Sequence, residues 1–577
     1  MACGSASPLP FFLPPRFVSP RAPVKMNHGA HDRALPSCTQ IMIEHVKPMR
    51  IHNSQRLHQG ILGFLLLAGA LARASLLPLV KYPGWGDYSF YYTVARNLVL
   101  GRGFVIDYIW HFLYLPPQVT HYSNDYWMPL TSVLLAVPMT VLGPSVRSAA
   151  VASLCVGTLL ALLAYVAARR HVGSTFTGLS AAAYTLVLSP LFTYSLITDT
   201  PVFYALFAGL ALLALMEGER SPAAARGRWL VLAGLFAGLT HLTRQDGALL
   251  LLLLLFAAWR GERGGRIKRL VQALLPYGLV LTPWMALNVH YLGRPLTTGA
   301  FRTLFFRSYA DMYAYKRAIS PAYYFSWGWK NILRSKVHAL LFNAHTFYGY
   351  LPLFMWAFAF VAVLLVIRAV HRREGEIPWR AFWWPTAHLV LLYLFYSLLF
   401  TFPGIQGGFL RSSMFYLPFL MVIVADVIRR HLGPRWVRLS WVGITVLLLA
   451  YQGWGAARTT VLSNARAGEG IARIVPVLRS DARPGEDIVL MTIAPWEFHA
   501  VTGFKTLQIP TDDREAIYEL ALRYRATHLV LPGKRDRFEA LYRGEEEDPR
   551  FPLVARVPNS PMKLYRIRPP RPCPKRR

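Results

Sequence analysis

Seven side chains able to do acid–base or phosphate chemistry fall within one aromatic stretch, Tyr82 to Pro129: Asp87, Arg96, Arg102, Asp107, His111, His121 and Asp125. Carboxylates and imidazoles can carry a proton at a reacting centre, and a guanidinium can hold a phosphate through two parallel hydrogen bonds. Asp87 stands in Gly86-Asp87-Tyr88, just before Tyr91, Val94, Ala95 and Leu98, which recur at helical spacing. Aspartate is a favoured helix cap. It also suits a general base that takes a proton from an acceptor hydroxyl or amine, and one residue can do both. Asp125 is the best second acid, because Tyr126, Trp127 and Pro129 put it at the start of the next apolar run. Asp107, His111, His121 and Asp125 could hold a divalent metal or form an ordinary polar loop, and no cofactor is certain. Trp85, Tyr88, Trp110 and Trp127 offer flat faces to a sugar ring. With His121 and Asp199, they are the candidates for sugar or acceptor contact.

Three later turns add charge where little is expected. Asp199 lies in Thr198-Asp199-Thr200-Pro201, a pattern that also starts helices. Arg244 and Asp246 sit between two apolar runs, and Arg411 follows a Gly-rich turn. With Arg96 and Arg102, Arg244 and Arg411 are the candidates for holding a phosphate. Snorkelling to lipid headgroups is the plainer reading of each.

The elements around these residues are membrane-spanning. The chain has 577 residues, 54% of them hydrophobic, and several apolar runs approach the ~20 residues that cross a bilayer. Runs at 60–80, 147–168, 175–192, 201–216, 229–243, 248–259, 270–290, 346–370, 381–402, 412–428 and 436–455 predict about eleven crossings. Pro129 to Leu142 is too short to span and is expected to dip into the outer leaflet. The Arg-rich turns all fall on one side of this count. The loops at 81–128 and 291–345 fall on the other, with the turns that hold Asp199, Arg244 and Arg411. That is the positive-inside pattern, with the N terminus inside. It accounts for the net charge of +33 without nucleic acid as a partner. Cys3, Cys38, Cys155 and Cys573 have no metal or disulfide spacing.

The expected architecture is an all-α polytopic membrane bundle with a long first outer loop and a small C-terminal α/β domain outside. Residues 1–58 read as a disordered basic cytoplasmic tail whose start codon is open, 59–457 as the membrane domain, 458–570 as the outer domain and 571–577 as a basic tail. In the outer domain, 487–492, 527–531 and 562–567 read as strands, and 515–524 as a helix burying Ile517, Leu520 and Ala521. The histidine in PWEFHAVTG, His499, is taken as a surface or core residue.

The stretches GDYSFYYTVARNLVLGRGF, NDYWMPL, SPLFTYSLITDTPVFYALFAGLALLAL, LTRQDG and GFLRSS resemble bacterial GT-C glycosyltransferases. The branch is that of protein O-mannosyltransferases, lipid A aminoarabinose transferases and rhizobial core transferases. The resemblance runs in order from about Gly60 to Gly455. It implies transfer of a sugar from a polyprenyl-phosphate donor to a lipid, glycan or protein acceptor, in cell-envelope glycosylation at a prokaryotic inner membrane. It also implies an acidic catalytic residue in the first outer loop, where Asp87 matches. Many members have Asp-Glu there and this chain has Asp87-Tyr88, so the second acid is unassigned. The resemblance puts Arg244 and Arg411 in segments suited to the donor phosphate. A transporter or flippase of a lipid-linked sugar is the alternative. Such proteins concentrate ionisable residues near the midplane, whereas here charges cluster at the ends of the apolar runs and Arg73 is the main exception.

Overall fold

The computed structural model describes residues 38–260, 263–297, 299–372, 378–401, 408–533 and 537–570. The chain divides into two units, Met1–Leu57 and His58–Arg577. In the first, residues 1–37 lie outside the described residues. From Cys38 the chain is helical, in a helix with bounds Cys38–Ala74, where a disordered tail was expected. The basic tail read at 571–577 also lies outside the described residues.

The second unit is a helical bundle with a sheet-containing domain. Among the described residues, eight helices are long and apolar enough to cross a membrane: Arg56–Leu79, Val146–His171, Pro201–Arg220, Arg263–Leu292, Leu353–His371, Arg380–Leu398, Phe409–His431 and Arg435–Asp481. The other three expected crossings are also helical, but shorter, broken or more polar. The run at 175–192 breaks between Thr175–Val187 and Ser189–Tyr194, where Pro190 cannot donate to the helix ladder. Ala223–Thr243 carries Arg226 and Arg228 near its start. Leu250–Trp259 is a 10-residue helix entered through a 3-10 turn. Leu130–Leu142 is an apolar helix of 13 residues, about 20 Å long at 1.5 Å per residue and too short to span.

The run Leu417–His431 is apolar on all sides down to its last turn, as a helix with no solvent or lipid face should be. Every residue from Leu417 to Ile428 is buried. Near its basic end, buried Asp426 accepts hydrogen bonds from Arg429 Nε and Arg430 Nε at 2.7 Å each. Glu219, at the same end of the bundle, accepts from Trp383 Nε1, Trp384 Nε1 and Arg260 Nη1. The arginines at these helix ends therefore gather on one face of the bundle.

Part of the region read as a second polar loop, 291–345, is regular. Trp329–Tyr348 is a 20-residue helix. Trp329, Leu333, Val337 and Leu341, spaced by four, lie exposed along it, while Asn343 donates to Ser397 Oγ at 3.0 Å on the other side. Its charged residues hid this amphipathic pattern from a hydropathy reading.

The remaining sheet structure is β1 (Val105–Ile106), β2 (Tyr108–Ile109), β3 (His121–Tyr122), β4 (Val489–Thr492), β5 (Lys505–Gln508), β6 (His528–Leu531), β7 (Leu553–Arg556) and β8 (Lys563–Arg566). β1 and β3 pair antiparallel within the first loop. The others form one sheet in the order β2-β5-β4-β6-β8-β7, parallel from β2 to β6 and antiparallel beyond. Alternation along a strand sends successive side chains to opposite faces. Met491 and Leu529 therefore join Leu507, Ile517 and Leu520 in one core. Leu490 and Val530 join Ile474, Phe498 and Leu564 in another. Strands β4, β6 and β8 fall where the sequence suggested. β5 and β7 were missed, and β2 comes from the first loop, about 400 residues earlier.

The approach to Asp87 is tightly packed. Gly84 has φ +98°, and a Cβ there would overlap the side chain of Asn464. Gly84→Ala adds a strained backbone conformation to that overlap, and we expect a loss of about 1–3 kcal/mol, read as a lower thermal midpoint of the purified protein.

Candidate active site

Four helix ends carry charge to a single point on the face opposite the arginine-rich ends. Asp87 is the first residue of the helix Asp87–Val99. Asp199 immediately precedes Thr200, the cap of Pro201–Arg220. Arg244 caps Ala223–Thr243 at its C-terminal end, and Arg411 lies in the first turn of the Phe409–His431 span. Arg411 bridges the two acids, with Nε 2.8 Å from Asp199 Oδ2 and Nη1 3.2 Å from Asp87 Oδ2. Asp199 Oδ1 also accepts from the Thr200 N–H at 2.6 Å. Arg244 reaches the same Thr200 with Nη1 (3.3 Å), Tyr396 OH with Nη2 (3.3 Å) and Ser412 Oγ with Nε (2.8 Å). Its Nε lies 3.3 Å from Asp246 Oδ1, and Tyr396 and Ser412 both donate to Asp246 Oδ2. Gly408 is needed here, because any Cβ would overlap Tyr396 OH and Arg244.

The cluster is largely buried. The side chain of Asp199 is fully buried, and Asp87 and Arg411 are 17% and 15% exposed. Burial, with the nearby charge of Asp199, raises the Asp87 carboxyl above its usual range against the opposing pull of Arg411 and Arg244. Tyr91, Tyr126, Tyr309 and Tyr313 are close enough for the Asp87 charge to raise their hydroxyl pKa values further. Tyr309 and Tyr313 come from the second loop, and no motif in the sequence pointed to them. Tyr88 packs edge-on against Tyr194 at 6.4 Å and holds the next turn, its carbonyl accepting from Thr198 Oγ1 at 2.8 Å.

Asp125 belongs to a second cluster. Its Oδ2 lies 3.4 Å from His111 Nε2 and 3.9 Å from His121 Nε2, all three side chains being under a tenth exposed. Burial lowers the His121 imidazole below its usual range, against the opposing pull of Asp125. His111 Nδ1 and Asp125 Oδ1 are buried and bond to nothing among the described residues. No group of three or more His, Cys, Asp or Glu among the described residues is set to hold a metal ion. Trp127 stacks on Trp110 at 4.0 Å and 8° and touches Phe90, on the Asp87 helix, at 4.4 Å. It is thus part of the packing that connects the two clusters.

The remaining candidates lie elsewhere. Arg102 forks onto Asp107 with bonds of 2.7 and 2.9 Å. Burial would lift the Asp107 carboxyl, but Arg102 and Thr120 outweigh it and leave the group below the usual range. Arg102 is 41% exposed, and such a pair contributes about 0–1 kcal/mol. Arg102→Ala should therefore leave donor KM and thermal midpoint near wild type. Arg96 is exposed on its helix, and Trp85 is 70% exposed.

The C-terminal sheet domain also reaches the site. The Gly86 N–H donates to Glu497 Oε1 at 2.8 Å, across 411 residues of sequence. Burial pushes the Glu497 carboxyl up to about 8. His499, on the same short helix, lies 3.9 Å from Asp107 Oδ2. In the sequence both read as surface or core residues, since it is β2 joining the C-terminal sheet that brings that helix against the first loop.

The fold, a polytopic helical bundle with a sheet-containing domain beside it, is shared with solved structures of other proteins. Residues 128–287 match the family described as dolichyl-phosphate-mannose-protein mannosyltransferase. Crystal structures of ArnT from Cupriavidus metallidurans superpose on 87% of this chain and 97% of their own at 14% identity. The apo state gives a TM-score of 0.56, and the undecaprenyl-phosphate complex 0.52. The apo oligosaccharyltransferase of Archaeoglobus fulgidus covers 82% of this chain and 69% of its own, at 14% identity and TM-score 0.52. No curated protein sequence matches the chain.

Proposed function

We propose that this protein is an integral-membrane glycosyltransferase that moves a sugar from a polyprenyl-phosphate donor to a lipid, glycan or protein acceptor. It works on the extracytoplasmic face of a prokaryotic cytoplasmic membrane, with its N terminus inside and its C-terminal domain outside. The observation that carries the reading is Arg411 bridging Asp87 and Asp199, with Arg244 bonded to the next residue, Thr200. Asp87 takes the acceptor proton as the acceptor oxygen or nitrogen bonds to the sugar C1. The C1–O bond to phosphate breaks, and the polyprenyl phosphate leaves with the electron pair. Arg411 and Arg244 stabilise the charge that grows on the leaving phosphate, in surroundings where water screens it little. Fold likeness to a protein crystallised with undecaprenyl phosphate supports the donor class.

A flippase would need an ionic path through the bundle. Arg73 is the charge that the sequence placed in the membrane interior. It donates to Gly69 O at 2.9 Å and Leu186 O at 2.7 Å and lies over the Phe192 ring. Those contacts join helices and support the enzyme reading over the transporter.

The test is a panel of radiolabelled polyprenyl-phosphate sugars offered to membranes that carry the protein. Label moving to lipid, glycan or protein from one donor is expected, and that donor names the sugar. No transfer from any donor by correctly inserted protein would refute the proposal.

A further inference from the structure

The helix bearing Asp87 starts without a cap of its own. Its N-cap residue is Gly86, at φ 55° and ψ −114°, with no side-chain cap bond. A helix start leaves backbone N–H groups without intrahelical partners. In a capping box, a Glu or Gln at the third helical position reaches back to the N-cap N–H. Here that position is Ser89, whose hydroxyl instead donates to the Gly84 carbonyl at 2.5 Å. The missing acceptor comes from the outer domain, as Glu497 Oε1 at 2.8 Å from Gly86 N.

We infer that Glu497 is a positioning residue for Asp87, the outer domain supplying in trans the half of a capping box that the catalytic loop lacks. The inference rests on the transferase reading above and gives the outer domain a role within it.

Three further contacts make this a clamp. Glu497 lies on the helix Pro495–Thr502, which follows β4 directly. That helix is fixed to β5, where Thr506 Oγ1 donates to Pro495 O at 2.7 Å. The neighbouring Trp496 ring packs against Gly86, where a Cβ would sit 3.3 Å from Nε1. Trp496 also meets Trp110 edge-on at 5.6 Å. The first loop is thus held at two places, by β2 in the outer sheet and by Gly86 on Glu497. A shift of the sheet must carry the start of the Asp87 helix with it.

The clamp has a defined dependence on pH. The charged and titratable groups facing Glu497 are Asp87 on the loop helix and Tyr108 on β2. On its own helix His499 faces Asp107. None of these is a cation placed against the Glu497 carboxyl, whose Oε2 is buried and whose ionised form only the Gly86 N–H, the backbone of its own helix and the neighbouring Trp496 indole favour. The clamp is fully present below the ordinary glutamate range of about 4.3 and is progressively lost as pH rises from there through about 8, because opening lets the group ionise in water. Burial is what most disfavours the carboxylate in the closed loop, with Asp87 adding a smaller repulsion, while the Gly86 N–H favours the ion.

The experiment compares wild type, Glu497→Gln and Glu497→Ala in transfer assays across pH and by hydrogen exchange of the peptide covering residues 84–92. Glu497→Gln keeps an acceptor oxygen and cannot ionise. It should hold kcat within about threefold at pH 7 and abolish the wild-type decline as pH rises through about 8. Glu497→Ala should lower kcat about 10–100-fold with donor KM little changed, since a misplaced base loses rate rather than binding. It should also exchange the 84–92 amides about tenfold faster, which corresponds to one hydrogen bond of ordinary strength. A Glu497→Gln enzyme as impaired as Glu497→Ala would overturn positioning and make the acid itself essential. Unchanged kcat and unchanged exchange in Glu497→Ala would overturn it as well. If Glu497→Ala does not fold, a Glu497→Gln profile with the alkaline decline intact is the overturning result. Hydrogen exchange needs no chemistry, so the clamp can hold or fail even if no sugar donor is found.

Discussion

Asp87→Asn should reduce sugar transfer by about 10²–10⁴-fold, the usual contribution of a positioned general base, while the protein still inserts and binds donor. The amide is isosteric and can still accept from Arg411, which keeps its second bond to Asp199. The packing is thus preserved and only the basicity is lost. The wild-type pH profile carries the same information. The carboxyl is raised by burial and by Asp199, and it must be ionised to take a proton. Activity should therefore fall as pH drops through a value above the ordinary aspartate range of about 3.9. That acid limb should vanish from the residual activity of Asp87→Asn. An active Asp87→Asn enzyme with an intact acid limb would remove Asp87 from the mechanism.

Arg411→Gln should have the second largest effect, on stability and activity together. It leaves Asp87 and Asp199 facing each other without their shared cation. Stranding one partner of a buried ion pair costs about 3–5 kcal/mol. With the attraction gone and the repulsion from Asp199 left, the Asp87 pKa moves further up. The acid limb should shift to higher pH, and donor KM should rise as a phosphate-holding group is lost. Arg411→Lys keeps the charge but not the planar fork, so it should restore stability better than rate. Arg244→Gln should cost less, because Asp246 keeps Tyr396 and Ser412 as donors. Thermal midpoints with pH–rate profiles for the three variants test this order. Equal midpoints for Arg411→Gln and wild type would show that the bridge carries no stability.

The sequence by itself determined the membrane bundle, because a stretch of ~20 apolar residues has few fates other than a spanning helix. It also marked the face of the site, since arginines at 169–170, 260–269 and 429–430 label one set of helix ends and leave Asp87, Asp199, Arg244 and Arg411 at the other. The two arginines were legible as anomalies, at turns where the charge bias gave no reason for them, and the two acids as helix caps that could also do chemistry. What only the tertiary structure decided was which of them meet. Asp87, Asp199 and Arg411 are separated by 112 and 212 residues, and helix packing rather than any local pattern makes Arg411 the bridge. The same packing keeps Arg102 on Asp107 and Asp125 among histidines, although the sequence had offered Arg102 for the phosphate and Asp125 as the second acid. Glu497 was beyond reach of the sequence altogether. Its value lies in a backbone N–H that every residue but proline carries, and it meets that N–H only because two residues of the first loop enter a sheet built about 400 residues later.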